Sequence, residues 1–343
     1  MPIYENMPET LAGATDNVCA IAEAVARFEP VKLLVGEERA EEARKRYPPG
    51  SSQTHKIEIH LIEGDQLDLW MRDIAPVFTV EDEPKSGTGI LRGVGFNFNG
   101  WGGKVLTESC AKLAKTLLSD LNIGRVTSRV TTEGGAIEID GDGTLIASES
   151  SIINDNRNLA MSKKDIEDEL SRLLGVTKFL WVPGLKGHDS TDFHIDAVAR
   201  FVKPGVILFA SPGEGENDSW ANAHRRAREI LANSTDAKGR TLEIIDVTEP
   251  RVEHVIKDKE LLEELKGELS RGYRWVFSYV NFLMVNGGVV FPQFGDEEAD
   301  AKALETARRV FAGREVVPVN VQELGMLGGG IHCASQEVPC IKE

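Results

Sequence analysis

His194-Ile195-Asp196-Ala197-Val198-Ala199-Arg200-Phe201, followed by Lys203-Pro204-Gly205 and then Val206-Ile207-Leu208-Phe209, reads as an extended segment, a tight turn and a second, more apolar extended segment. β-Branched and aromatic residues suit a half-buried pleated surface, and Pro-Gly between two such runs closes a hairpin. The same grammar recurs along the chain. Arg72-Asp73-Ile74-Ala75-Pro76-Val77-Phe78-Thr79-Val80 opens one instance, and Ala136-Ile137-Glu138-Ile139-Asp140 turns at Gly141-Asp142-Gly143 into Thr144-Leu145-Ile146-Ala147-Ser148. Tyr279-Val280-Asn281-Phe282-Leu283-Met284-Val285 turns at Asn286-Gly287-Gly288 into Val289-Val290-Phe291. The starts lie roughly 55 to 85 residues apart, within or just above the usual window for repeated units.

Helices fill the gaps between hairpins. Ser162 with Asp165 three residues on reads as an N-cap, and apolar residues at helical spacing continue through Leu173-Leu174 until Gly175 stops them. A second helix is predicted from about Asp296 to Ala312, acidic at its start and basic near its end. A third, around Asn17 to Phe28, precedes a strand at Val31–Val35. The alternation of strand, hairpin and helix without a long polar linker predicts an α/β fold of one domain over residues 1–343.

Composition narrows the function. The chain has 343 residues, 41% hydrophobic and 27% charged, which is ordinary for a soluble globular protein. No apolar run approaches a membrane span, and the opening Met1-Pro2-Ile3-Tyr4-Glu5-Asn6 lacks the pattern of a signal peptide, so a cytoplasmic protein with no membrane partner is expected. A formal charge of −16 repels phosphate backbones, so no nucleic-acid partner is expected, and the same field attracts a small cation. Cys19, Cys110, Cys333 and Cys340 form no C-x-x-C pair, which argues against a disulfide framework or a zinc knuckle.

Most hairpins begin with a polar group able to do chemistry. Asp73 stands at one, Glu133-Gly134-Gly135 precedes another, His194 and Asp196 open a third, and Gly328-Gly329-Gly330-Ile331-His332-Cys333 lies near the end of the chain. A ring of such repeats would aim them at one axis. The glycines allow backbone N–H groups to approach Cys333, and a thiolate needs such donors or a cation. His332, adjacent on a presumed strand, would face away from Cys333, which leaves His194 the better proton-transfer group. His194 and Asp196 at spacing two would share one strand face; they suit an acid–base histidine beside a carboxylate or two metal ligands, but a third ligand at comparable spacing is missing. One thiol, one histidine and several carboxylates without a phosphate loop point to a planar cation, and a guanidinium held bidentately by two carboxylates fits.

With these residues in place, the sequence resembles the agmatine deiminase family, grouped with the bacterial type of peptidyl-arginine deiminase. The resemblance rests on an ordered series: Trp70-Met71-Arg72-Asp73-Ile74-Ala75-Pro76, Asn97-Phe98-Asn99-Gly100-Trp101-Gly102-Gly103-Lys104, Glu133-Gly134-Gly135, Asn156-Arg157-Asn158 with Met161-Ser162, and His194-Ile195-Asp196. Ser278-Tyr279-Val280-Asn281-Phe282, Asn286-Gly287-Gly288, Pro292-Gln293-Phe294-Gly295-Asp296 and Gly330-Ile331-His332-Cys333 complete it. The resemblance implies a pentein fold, a five-bladed α/β propeller of repeated ββαβ units with pseudo-fivefold symmetry. It implies a hydrolase that converts a small guanidino compound, agmatine first, to its ureido product and ammonia without a metal or organic cofactor. In that reading Cys333, His194 and Glu133 are catalytic, and Asp73, Asp196, Trp70, Trp101, Asn281 and Ser190 bind substrate. A homodimer is allowed for. Peptidyl-arginine deimination, amidino transfer and a non-catalytic guanidine binder are the competing readings.

The sequence also departs from the family's pattern. Ser190 and Phe193 replace a usual acidic residue and glycine, Ala75 a frequent glycine, and Phe96 a frequent tryptophan. Phe193 is expected to add bulk beside the site or to pack a substrate tail. The family's usual Trp-containing opening is not found before Phe28-Glu29-Pro30-Val31, so the first unit is expected to be shortened.

Overall fold

Hairpins built from the β-branched runs above pair as expected in a computed structural model, which describes residues 8–48, 54–64, 66–82, 89–213, 215–263 and 275–341. Among these residues the strands form five separate sheets. Four share one plan. In the first of them β3 (Val77–Asp82) pairs antiparallel with β4 (Gly89–Gly95), and the helix Glu108–Asp120 leads to β5 (Gly124–Thr127), parallel to β4. The plan repeats as β6 (Glu138–Ile139), β7 (Thr144–Ser148), helix Lys163–Leu174 and β8 (Lys178–Val182). It repeats again as β9 (Ala199–Lys203), β10 (Val206–Ser211), helix Ser219–Ala232 and β11 (Glu243–Thr248), and finally as β12 (Leu283–Val285), β13 (Gly288–Gln293), helix Glu297–Val310 and β14 (Glu315–Asn320). The remaining sheet has two parallel strands, β1 (Val31–Gly36) and β2 (Ile57–Ile62), behind the helix Pro8–Val25. The four ββαβ units account for the repeated grammar of the sequence.

Local chemistry sets the helix ends. Ser162 and Asp165 form a reciprocal capping box, and Gly175 closes the same helix in the left-handed conformation at φ +68. Asp296 caps the helix Glu297–Val310 by accepting from the Ala299 N–H. The first helix starts earlier than periodicity suggested, at Pro8, because small residues dilute its apolar stripe. No helix among the described residues is long and apolar enough to cross a membrane.

Neighbouring sheets are stitched by a buried ion pair. Glu138 on β6 accepts from Arg200 Nε on β9 at 3.0 Å and from the Phe201 N–H at 2.9 Å, and all but about a twentieth of each residue is buried. Arg200 also donates from Nη1 to the carbonyl of Phe282, just ahead of β12, and lies over its ring at 4.5 Å. Three sheets therefore meet at one guanidinium. Removing one partner of such a pair strands the other charge in the interior. Glu138→Ala should cost about 3–5 kcal/mol of stability, read as a lowered urea midpoint with an unchanged slope.

Candidate active site

Short helical turns at the mouths of the hairpins position the polar residues. Asp73 lies in the turn Met71–Ile74 ahead of β3, and Glu133 precedes the 3-10 turn Gly134–Ala136 ahead of β6. His194 leads into the 3-10 turn Ile195–Ala197 ahead of β9, so His194 and Asp196 do not share a strand face as expected. They converge because the extended backbone of His194 (φ −62, ψ 141) bends directly into that turn. Gly135 shows how tightly the groups gather. A Cβ there would stand 2.7 Å from His194 Nδ1, 2.9 Å from Asp73 Oδ1 and 3.1 Å from Asp196 Oδ2, so a glycine is required.

Burial and charge then set the protonation states. Asp73 accepts from the Gly135 N–H at 3.0 Å and from Trp101 Nε1 at 2.8 Å, yet burial holds its carboxyl above the usual range. Burial also pushes Asp196 up to about 6, against the pull of His194. His194 lies 3.3 Å from Glu133 Oε2 through Nε2 and 3.7 Å from Asp73 Oδ2 through Nδ1. Burial alone would lower its pKa, but Asp73, Glu133 and Asp196 outweigh it and raise it to about 9. His194 is an imidazolium at neutral pH.

Asn281 holds the nucleophile candidate. Its Oδ1 accepts from the N–H groups of His332 (2.9 Å) and Cys333 (3.2 Å), and its Nδ2 lies 3.3 Å from Cys333 Sγ. Asn281, expected on the substrate side, is thus engaged with Cys333 itself. Residues 331–334 form a turn and not a strand, which lets both His332 and Cys333 reach Asp196 Oδ2, His332 Nδ1 at 2.8 Å and Cys333 Sγ at 3.5 Å. Burial, with Arg200 and Arg72 nearby, keeps His332 well below its ordinary pKa, so the neutral ring donates from Nδ1 to Asp196. Burial, with Asp196 and Asp73, pushes the Cys333 thiol well above its ordinary pKa, despite the Gly330 N–H and the Asn281 amide. The glycines ahead of it serve close packing as well: a Cβ at Gly329 would meet the Trp70 ring at 2.3 Å, and one at Gly330 would meet Asn281 Oδ1 at 2.6 Å.

A left-handed turn supplies Trp101. Gly100, Trp101, Gly102 and Gly103 all have positive φ, from +54 to +81, and the turn closes with Lys104 N–H donating to the Gly100 carbonyl at 2.9 Å. Only Trp101 bears a side chain, so the strain is confined to one residue at roughly 1–2 kcal/mol. Lys104 then reaches the loop before His194, donating from Nζ to the carbonyls of Asp189 and Ser190 and pairing with Asp192 Oδ2 at 3.0 Å. Ser190 is exposed. Phe193 corrects an expectation: fully buried, it packs on Trp220 (4.7 Å) and His224 (5.5 Å) in the interior and does not line a substrate pocket. That packing offsets a φ of +78 that a bulky residue rarely adopts.

The structure adds groups to which no role was given from sequence. Arg72 donates its N–H to the Cys333 carbonyl at 3.0 Å and its Nε to the His332 carbonyl at 3.3 Å. Arg157 binds both Glu133 and Asp192, and Asp192 collects Asn156, Lys104 and the Gly187 N–H as well. Burial would raise Asp192, but these donors outweigh it and hold it low. In the sequence, Asn156-Arg157-Asn158 stands only as a motif of the family resemblance.

The chain matches the Porphyromonas-type peptidyl-arginine deiminase family over residues 2–339. It is 34% identical to the agmatine deiminase of Medicago truncatula over 341 residues, covering 94% of this chain and 87% of the relative. It is 35% identical to that of Pseudomonas aeruginosa (strain UCBPP-PA14), covering 93% and 86%. The solved agmatine deiminase of Enterococcus faecalis superposes with a TM-score of 0.80 at 30% identity, over 94% of this chain and 87% of that one. With a match that runs through every one of the five sheets, the chain belongs to the Porphyromonas-type peptidyl-arginine deiminase family.

Proposed function

We propose that this protein is a thiol-dependent deiminase of small guanidino compounds, with agmatine as its substrate and N-carbamoylputrescine and ammonia as products. The observation that carries the reading is Asp196. Its Oδ2 is bonded by His332 Nδ1 and lies 3.5 Å from Cys333 Sγ, while Oδ1 of the same carboxylate is buried without a hydrogen-bond partner. A buried carboxylate oxygen of this kind calls for a donor, and a guanidinium brings several in one plane. The names of the relatives support agmatine in particular. We read the five sheets as blades of a pentein propeller within one domain, with the hairpin mouths facing a common axis.

In the resting protein the thiol is protonated, because burial, and then the carboxylates of Asp196 and Asp73, oppose a further negative charge. A substrate cation about 4 Å from sulfur contributes about 4 kcal/mol at an effective dielectric of 20, equivalent to about three pKa units, which favours loss of that proton to solvent as it binds. Cys333 Sγ then bonds to the guanidinium carbon. His194 gives its proton to a terminal nitrogen, that C–N bond breaks and ammonia leaves an amidino-cysteine. The neutral imidazole next takes a proton from water as the water oxygen adds to the amidino carbon. The C–S bond breaks, and the ureido product departs with the thiol restored. Glu133 orients the imidazole throughout, and Asp73 with Asp196 holds the guanidinium nitrogens.

A guanidine panel tests the assignment. Wild type should release ammonia and N-carbamoylputrescine from agmatine, Cys333→Ala should release neither, and 2-chloroacetamidine should label Cys333 alone. Binding without turnover would favour a guanidine-binding protein, turnover of arginine within peptides the peptidyl enzyme, and amidino transfer to an added amine a transferase.

The pH dependence follows from the raised pKa values of Asp196 and His194. Below about 6 Asp196 takes a proton and loses its hold on the cation. Above about 9 His194 has no proton for the leaving group. The expected kcat/KM profile is a bell with limbs near these values, and a rate still rising beyond pH 10 would remove His194 from the acid role.

A further inference from the structure

Outside the residues assigned to the reaction, the buried cation Arg157 makes the most connected set of contacts around His194. Its side chain is fully buried, as is that of Glu133, and that of Asp192 is 1% exposed. Every guanidinium nitrogen is engaged. Nε donates to Glu133 Oε1 and Oε2 at 2.9 and 3.0 Å, Nη1 to Asp192 Oδ2 at 2.8 Å and Asn156 Oδ1 at 2.9 Å, and Nη2 to the Thr191 carbonyl at 3.1 Å. Glu133 Oε2 is also the atom that His194 Nε2 approaches at 3.3 Å. The Thr191 hydroxyl accepts from the His194 N–H at 3.1 Å. The contacts close a ring: His194 to Glu133, Glu133 to Arg157, Arg157 to Thr191 and Asp192, and from there along the backbone to His194.

We infer that Arg157 is a positioning residue that fixes the His194 ring against its own backbone and neutralises Glu133, so that Glu133 can orient the imidazole without trapping its proton. The inference rests on His194 as the acid–base group of the proposed reaction. A lone buried carboxylate beside an imidazole would tighten its hold on the shared proton, and His194 must release that proton in every cycle. The charged groups facing His194 are Glu133, Asp73 and Asp196; Arg157 stands behind Glu133, while His332 and Cys333 lie beyond Asp196 and are uncharged at rest. Among the described residues, Arg157 is the cation besides His194 itself that contacts Glu133. Lys104 reaches the ring only at Asp192, which places it further from the proton.

The ring also explains two strained residues. Asp192 and Phe193 are consecutive and both left-handed, at φ +62 and +78, a conformation that side-chain-bearing residues adopt only when the surroundings impose it. Arg157, Lys104, Asn156 and the Gly187 N–H pull the Asp192 carboxylate one way, and Trp220 anchors Phe193. His194 follows directly, so its ring inherits the geometry.

The test combines Arg157→Gln and Arg157→Lys with a readout that packing alone would not move. In protein carrying ring-labelled histidine, the NMR titration of His194 should show its proton released about one pH unit later in Arg157→Gln than in wild type, and at the wild-type position in Arg157→Lys. With agmatine, kcat should fall at least tenfold in Arg157→Gln and several-fold in Arg157→Lys, which keeps the charge but cannot bond three segments, while KM changes less than threefold. An unshifted titration in folded Arg157→Gln, or a loss confined to KM, overturns the inference. Should Arg157→Gln not fold, Arg157→Lys decides: a kcat equal to wild type overturns it, and a reduced kcat at unchanged titration sustains it. The titration is read in the resting protein, so an inactive wild type would overturn the proposed reaction and leave the coupling measurable.

Discussion

Four carboxylates, those of Asp73, Glu133, Asp192 and Asp196, are buried in one region, and each ion removed from water costs several kcal/mol unless a counter-charge meets it. The cations that touch them are Arg157, Lys104 and protonated His194. Arg72 and Arg200 stand close by, but they are matched by Glu337 and Glu138. Three positive charges face four negative ones. Burial, together with the neighbouring carboxylates, pushes Asp73 and Asp196 up and keeps the Cys333 thiol neutral. In the proposed reaction a guanidinium supplies the missing charge and, in doing so, favours loss of the thiol proton.

Much of the local architecture follows from this constraint. Gly135 admits three site residues to one point, and the left-handed turn Gly100–Gly103 carries Trp101 to Asp73 while sending Lys104 to Asp192. Short helical turns ahead of β3, β6 and β9 bring Asp73, Glu133 and His194 with Asp196 from three different sheets. A residue at the end of a strand would have its direction fixed by the pleat. One in a single helical turn can be aimed by the loop that precedes it.

The ββαβ repeat was legible because hairpins and amphipathic helices write periods of two and 3.6 into the sequence. The capping box at Ser162 and the stop at Gly175 were equally plain. The single turns that hold the catalytic candidates were not, since three or four residues carry no period, and so His194 and Asp196 read as a strand. The same error made His332 look turned away, whereas it bonds Asp196. Phe193 was placed beside the pocket because position along the chain says nothing of which side a loop residue faces; Trp220 and His224, far along the sequence, claim its ring. Arg157 is invisible for a related reason, since both of its carboxylate partners lie more than twenty residues away.

The claim that the empty site is one positive charge short is tested most directly by the proton balance of binding. Agmatine can be titrated calorimetrically into Cys333→Ala, which cannot turn over, between pH 5 and 8 in buffers of differing ionisation enthalpy, pH values chosen to bracket the Asp196 value of about 6. A carboxyl raised in the empty site is ionised by the incoming cation, so affinity is full above that value and is lost as pH falls through it. The account predicts net proton release on binding and an affinity that falls toward tenfold per pH unit below about 6. Binding with no proton exchange and constant affinity across the range would contradict it.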